Sequence, residues 1–422
     1  MKKLSLLSAC LLAGLTVSAQ QAVVKDAEKA MKDGKSFDEV AQIMAPATQN
    51  PETKDQAITY YIPGKTAFKI YDDMLGKKQF GLLKEGDELV MAKDLLGGYE
   101  YFLKAVARDT VINEKGKVKT KYSKEIYNTL AGHYNDYNFA ALDFWNAKDY
   151  KSAYKAWEIF LTMPENPSLA KQIKVYPDST LSQVLYNQAL AAWQSDDFAA
   201  AVKSFRGSIA KGNTKRDVFE YAVAVANNAK DEEAMLEFAT KGNELYGKED
   251  PSFINNIINV YIMKEDYDTA LQKLDAAAVT DPDNAQYLAL KGLIYTKKRD
   301  NAKAEDLYRK ALAIDADNSL ANLYLGATIL EKAGQIQDNF NDRSGGNFAK
   351  YKSENVDPLL RESVNYLEKA YKLDENNRSV CLTFLEQAYY ILGDQAGMNS
   401  VKERKDCLLY TSPSPRDGAT SR

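Results

Sequence analysis

PSFINNIINVYIMKEDYDTALQKLDAAAVTDPDN, residues Pro251 to Asn284, is the stretch whose reading decides the fold. Ile254, Ile257, Ile258 and Tyr261 recur at the three- and four-residue steps of one helix face. Asp266-Tyr267 marks a turn. Ala270, Leu274 and Ala277 then form a second apolar stripe, and Asp281-Pro282 closes the unit. The result is two amphipathic helices and a tight turn within 34 residues. Ala285 to Asn318 repeats the cadence, with Gly292, Tyr295, Ala304, Tyr308 and Ala311 in the equivalent places. Small residues where two helices cross (Gly292, Ala270, Ala304) let the backbones approach, while Tyr295 and Tyr308 fill the space between neighbouring hairpins. A single hairpin cannot bury its apolar faces alone, so such units stack.

Looser copies lie upstream. Tyr134 to Pro164 carries Ala141, Phe144, Asp149-Tyr150, Ala153 and Trp157. Ser182 to Gly212 carries Leu185, Ala189, Ala192, Asp197-Phe198, Ala201 and Phe205. Asn213 to Asp250 carries Ala222, Val225, Ala234 and Phe238. Downstream, Ser319 to Asn377 is a long copy, with residues 335–357 rich in Asn, Asp, Gly and Ser and therefore expected to be partly loop. Residues 378–406 read as closing helices, since a stack needs a polar cap. Residues 20–122 are a divergent helical region. In it Pro63 is expected to kink or break a helix over Asp55 to Asp72, Gly97-Gly98 to interrupt one over Leu89 to Asp109, and Asn113 to Lys124 to be a polar loop.

These units, and above all YLEKAYKLDENN (Tyr366 to Asn377), resemble the tetratricopeptide repeats (TPR) of proteins exported by Gram-negative bacteria. NPETKDQAITYYIPGK and NEKGKVKTKYSKEI in the N-terminal part are similar to segments of the same group. The resemblance implies an all-α fold, an α–α superhelix of about seven to eight hairpins, over residues 123–406 and extending divergently over 20–122. It also implies a non-enzymatic scaffold whose concave face binds a protein or peptide.

The two ends read differently from the middle. Lys2 and Lys3, the apolar run Leu4 to Val17, and Val17-Ser18-Ala19 have the order of a secretory signal peptide covering residues 1–19, with cleavage before Gln20. The expected location is periplasmic; lipidation at Cys10, within Leu7-Ser8-Ala9-Cys10, is the lesser alternative. Residues 407–422, beginning Cys407-Leu408-Leu409-Tyr410-Thr411-Ser412, resemble a translated sequencing adapter and are expected to be non-native.

Composition narrows the function classes. Lys and Arg number 55 against 59 Asp and Glu, a net charge of −4. Four cations (Lys2, Lys3, Arg416, Arg422) but only one carboxylate (Asp417) fall in the two end segments, so the remainder is more acidic still. That balance opposes nucleic-acid binding, which needs a basic footprint. His133 is the only histidine, and between the end segments Cys381 is the only cysteine, so no Cys- or His-rich zinc site or internal disulfide can be assembled there, and a His-based triad would have to use His133. His133 reads as an ordinary residue of a helix over Glu125 to Asn146. No cofactor, no metal and no transmembrane span is expected. Asp338 to Asp342 lacks the spacing of a calcium loop.

The first helix of each TPR hairpin usually lines the concave face. The candidate groove residues are therefore Asn135, Asn138, Leu142, Trp145 and Asn146, then Gln183, Tyr186, Trp193 and Gln194, then Asn255, Asn259, Met263 and Gln286. Asn and Gln both donate and accept, which suits a peptide backbone, and Trp and Tyr give rigid contact area. The expected partner is a protein or peptide of the cell envelope. A glycan, stacked on these aromatics, is the alternative. Lys115, Lys117, Lys119, Lys121 and Lys124 read first as a solvated loop, with contact to an anionic lipid or glycan the lesser reading. The 27 tyrosines are read mainly as core.

Overall fold

The computed structural model describes residues 22–112, 118–247, 249–342 and 344–411; the signal-peptide reading, Lys115, Lys117 and the last part of the adapter-like segment lie outside them. The chain divides into two compact units, Met1–Ala234 and Met235–Arg422.

In the first unit, α1 (22–32) leads to α2 (Phe37–Gln49), α3 (Ala57–Gln79) and α4 (Asp87–Val106). A two-residue antiparallel ribbon, β1 (Val111–Ile112) with β2 (Val118–Lys119), precedes α5 (Ser123–Gly132). The hairpins α6 (Asp136–Asn146) with α7 (Tyr150–Thr162) and α8 (Asp178–Gln194) with α9 (Phe198–Ala210) follow, then α10 (Arg216–Asn228). α11 (Glu232–Tyr246) crosses into the second unit. There α12 (Ser252–Met263) packs on α13 (Tyr267–Thr280), and α14 (Ala285–Lys297) on α15 (Asn301–Ile314). α16 (Ser319–Asn339) packs on α18 (Asp357–Leu373), with α17 (Gly345–Asn355) between them in sequence, and α19 (Arg378–Leu392) packs on α20 (Gln395–Thr411). The fold is thus all-α apart from the short ribbon, and α20 runs on past residue 406.

One turn is used over and over. After the first helix comes a residue in the left-handed region: Lys148 (φ 60°), Asp196 (62°), Lys230 (56°), Glu265 (56°) and Arg299 (63°). An aspartate follows each of them, and its backbone N–H donates to the carbonyl five residues back, as Asp266 does to Tyr261 at 2.9 Å. Its carboxylate then accepts from the N–H three residues ahead, at Ser152, Ala200, Ala234, Thr269 and Lys303. The turn therefore satisfies the end of one helix and the start of the next together. Gly393 (φ 73°) and Asp394 build the same device between α19 and α20.

The crossings are as tight as the small residues predict. A Cβ at Gly292 would lie 2.5 Å from the ring of Tyr308, which is fully buried. Ala270 and Ala304 are fully buried as well. At the α16/α18 crossing, Ser363 Oγ donates to the Gly326 carbonyl at 2.7 Å, and a Cβ on Gly326 would meet Leu367. Most tyrosines are at least half buried, and Tyr137 and Tyr308 are wholly so.

Three expectations need correction and a fourth is met. α3 continues unbroken through Pro63, which is buried there, with Ile62 at 2 % and Phe68 at 3 % exposure holding that stretch in the core. α4 likewise runs through Gly97-Gly98. Both glycines are required by close approach, since a Cβ would lie 2.6 Å from the Phe37 ring at Gly97 and 2.9 Å from Ala67 Cβ at Gly98. Residues 335–357 are partly loop as expected, with the break between Asn339 and Gly345, and the rest is mostly helix; Phe340 stacks on Tyr351 of α17 at 3.9 Å and gives that polar helix an apolar anchor. The helix expected over Glu125 to Asn146 is broken at residues 133–135.

Candidate functional site

The broken helix places His133 at a junction. Its side chain is 12 % exposed, its ring packs against Phe68 and Tyr71 of α3, and Nδ1 lies 2.8 Å from Asp136 Oδ2 at the start of α6. Nε2 lies 3.4 Å from Asp72 of α3. His133 thus ties α3 to the first turn of α6 rather than being an ordinary helix residue.

Beside this junction is a cavity of about 200 Å³. Tyr71, Leu75 and Lys78 of α3 line one side at i, i+4 and i+7, a single helix face. Asp136, Phe139, Ala140 and Asp143 of α6 line the other at the same spacing, and Met91 and Ala92 of α4 form the floor. Phe139 is 57 % exposed at the rim. Lys78 Nζ is 2.6 Å from Glu88, so its charge is already matched. Asp143 makes no side-chain hydrogen bond among the described residues. Burial first, and Glu88 second, push its carboxyl above the usual range, with Lys78 opposing. The Tyr71 phenol is pushed up by burial and then by Asp136 and Asp143, so it stays a neutral donor.

The sequence-derived groove residues fall into three groups. Several are engaged within the chain. Asn135 Oδ1 accepts from Tyr176 at 2.9 Å, and Asn138 Oδ1 from Trp157 Nε1 at 3.0 Å. Gln183 donates to Asn187, Tyr186 donates to Asp217 at 3.0 Å, and Gln286 accepts from Asn318. Others are half-buried packing. Trp145 meets Tyr150 and Trp157, while Trp193 and Tyr186 both meet Tyr221 of α10. Gln194 and Asn255 are half-buried, and Asn255 Oδ1 is buried with no hydrogen-bond partner among the described residues. A third group faces outward: Asn146, Asn259, Leu142 (39 % exposed) and Met263 (52 %). Asn135 to Gln194 lie in the first unit, and Asn255, Asn259, Met263 and Gln286 in the second.

Sequence reading missed the cavity. Tyr71, Leu75 and Met91 belong to the divergent region, where no repeat register shows which helix face meets α6. The only local signal was the i, i+7 pair Asp136 and Asp143 around Phe139. Of the lysines expected in a polar loop, Lys121 is instead part of a structural clasp. Its N–H and those of Tyr122 and Ser123 donate to the Asp109 carboxylate, as does Ser123 Oγ, which joins the end of α4 to the start of α5. Asp342 accepts from Ser344 and Asn347, closing its own loop.

Comparison with known proteins places the repeats. Residues 257–319 match the family model described as tetratricopeptide repeat. None of the curated proteins matches the chain in sequence. Among solved structures, YrrB, described as a TPR protein with an unusual peptide-binding site, is 18 % identical, with 44 % of this chain and 88 % of that one covered and a TM-score of 0.31. PilF of Pseudomonas aeruginosa is 12 % identical, with 56 % and 96 % covered and a TM-score of 0.37. A TPR repeats protein from Bacteroides fragilis is 16 % identical, with 61 % and 98 % covered and a TM-score of 0.29. The family match lies on α12 to α15, where the hairpins are most regular, and the fold is that of a tetratricopeptide-repeat array.

Proposed function

We propose that the chain is an exported scaffold of the cell envelope that holds a protein or peptide partner against the first helices of its hairpins. The observation that carries this reading is the outward apolar side chains on those helices, Leu142 on α6 and Met263 on α12, beside exposed Asn146 and Asn259. The half-buried Trp145, one turn from Leu142 on α6, and Trp193, on the first helix of the next hairpin, offer rigid edges. Export rests on Lys2, Lys3 and the apolar run that ends before Gln20.

The test is crosslinking in the envelope fraction of the source bacterium. It compares the chain with a variant carrying Leu142→Ala, Trp145→Ala and Trp193→Ala, after circular dichroism shows both are folded. A partner captured by the native chain, lost by the variant, and binding the purified chain directly supports the scaffold. Identical captures by both refute this surface. Sequencing the N-terminus of the exported protein should give Gln20; an unprocessed, cytoplasmic product would remove the envelope from the reading.

A further inference from the structure

We propose that the cavity between α3, α4 and α6 binds a single cation carried on an alkyl stem, the side chain of an arginine or lysine in a bound peptide. The inference rests on the scaffold reading and names the chemistry of one contact within it. At about 200 Å³ the cavity is smaller than the clefts of roughly 300–1,000 Å³ that take drug-sized ligands, and it suits one long side chain. Its apolar lining of Leu75, Met91 and Ala92 matches an aliphatic stem, and the rings of Tyr71 and Phe139 give faces on which a cation can rest.

The charge chooses the ligand. Asp143 is half-buried, makes no side-chain hydrogen bond among the described residues, and has Glu88 as a like-charged neighbour. Lys78, the cavity's own cation, is turned to Glu88. A neutral or anionic guest would leave Asp143 desolvated without a partner, which is costly, whereas a guanidinium or ammonium would pair with it. Asp136 is the second acceptor, and His133 holds its carboxylate in place through Nδ1. A metal ion is the poorer fit, because no group of three or more His, Cys, Asp or Glu is arranged to hold one among the described residues.

The experiment is titration calorimetry of the full chain with three probes: acetyl-Leu-Arg-Leu-amide, the same peptide with citrulline in place of arginine, and agmatine. Citrulline keeps the shape and removes the charge. The arginine peptide is expected to bind saturably. Citrulline and the Asp143→Asn variant should each weaken that binding about tenfold or more, as expected for loss of a charge-assisted pair. Phe139→Ala, at an exposed rim position, should weaken it without affecting folding. Agmatine distinguishes the sources of the cation: weaker binding than the peptide assigns the site to a peptide side chain, and equal binding assigns it to a free guanidinium. Absence of saturable binding by either cation, or equal binding of the arginine and citrulline peptides, overturns the proposal. If the partner of the crosslinking experiment is still captured in that case, the scaffold stands and only this contact falls. If both experiments fail, the scaffold reading falls with it.

Discussion

Replacing Glu265 and Arg299 together by glycine should make the second unit more stable, although it removes two charged side chains. Both residues are exposed and sit at φ 56° and 63°, where a Cβ crowds the following carbonyl. That crowding costs a non-glycine residue about 1–2 kcal/mol. Glycine removes it but adds freedom to the unfolded chain, which returns about 0.5–1 kcal/mol. The net gain is roughly 0.5–1 kcal/mol per site, and the two sites lie in different hairpins, so about 1–2 kcal/mol in all is expected. For a unit of this size that corresponds to about 2–8 °C in Tm. The assay is calorimetric melting of the full chain, following the transition of the second unit, with the double alanine variant as control. Alanine keeps the Cβ and should give little or none of the gain. Equal stabilisation by alanine, or a lower Tm with glycine, would refute the claim that these turns carry backbone strain.

Three further outcomes follow from particular contacts. Gly292→Ala places a Cβ 2.5 Å from the buried Tyr308 ring and should destabilise by about 1–3 kcal/mol, read from the urea midpoint; an unchanged midpoint would mean that the crossing is looser than it looks. Asp94 is 9 % exposed, and burial, reinforced by Asp38, pushes its carboxyl up to about 6. Because the folded form resists ionisation, Asp94 costs nothing below its unfolded value near 3.8 and up to about 3 kcal/mol above pH 6. Asp94→Asn should therefore gain up to about 3 kcal/mol at pH 7.5 but only about 0.5 kcal/mol at pH 4 in urea melts; an equal gain at both values would exclude charge as the cause. Asp109→Ala orphans the N–H groups of Lys121, Tyr122 and Ser123 and should cost about 2–3 kcal/mol, with hydrogen exchange rising first at those amides; unchanged protection there would show that the clasp is dispensable.

The repeats could be read from sequence because two signals coincide in them. Apolar residues at helical spacing end at an aspartate followed by an aromatic residue, as at Asp149, Asp197 and Asp266, and each of these proves to be a helix cap. The left-handed residue in this turn was hidden at Lys148, Lys230, Glu265 and Arg299, since Lys, Glu and Arg carry no mark of that conformation; only Asp196 is of a type enriched there. Pro63 and Gly97-Gly98 misled for the opposite reason. Local rules treat them as breakers, whereas tertiary packing of α3 on α4 overrides those rules and even requires the glycines. The groove residues were chosen from helix order alone. That choice could not foresee that Asn138 would serve Trp157 or that Tyr186 would serve Asp217, because both bonds join different helices. The cavity needed the pairing of α3 with α6, which no periodicity in this chain records.

The α16/α18 hairpin has a practical use. Its crossing at Gly326, Ser363 and Leu367 is kept although a whole extra helix stands where hairpins such as α12/α13 and α14/α15 have a three-residue turn. Register at this point is held by side chains, and the cost of a longer connection grows only with the logarithm of its length. Asn341, exposed directly after Phe340, is therefore a port at which a reporter domain or affinity tag can be spliced in. A tag there would leave every helix, and both ends of the chain, as they are.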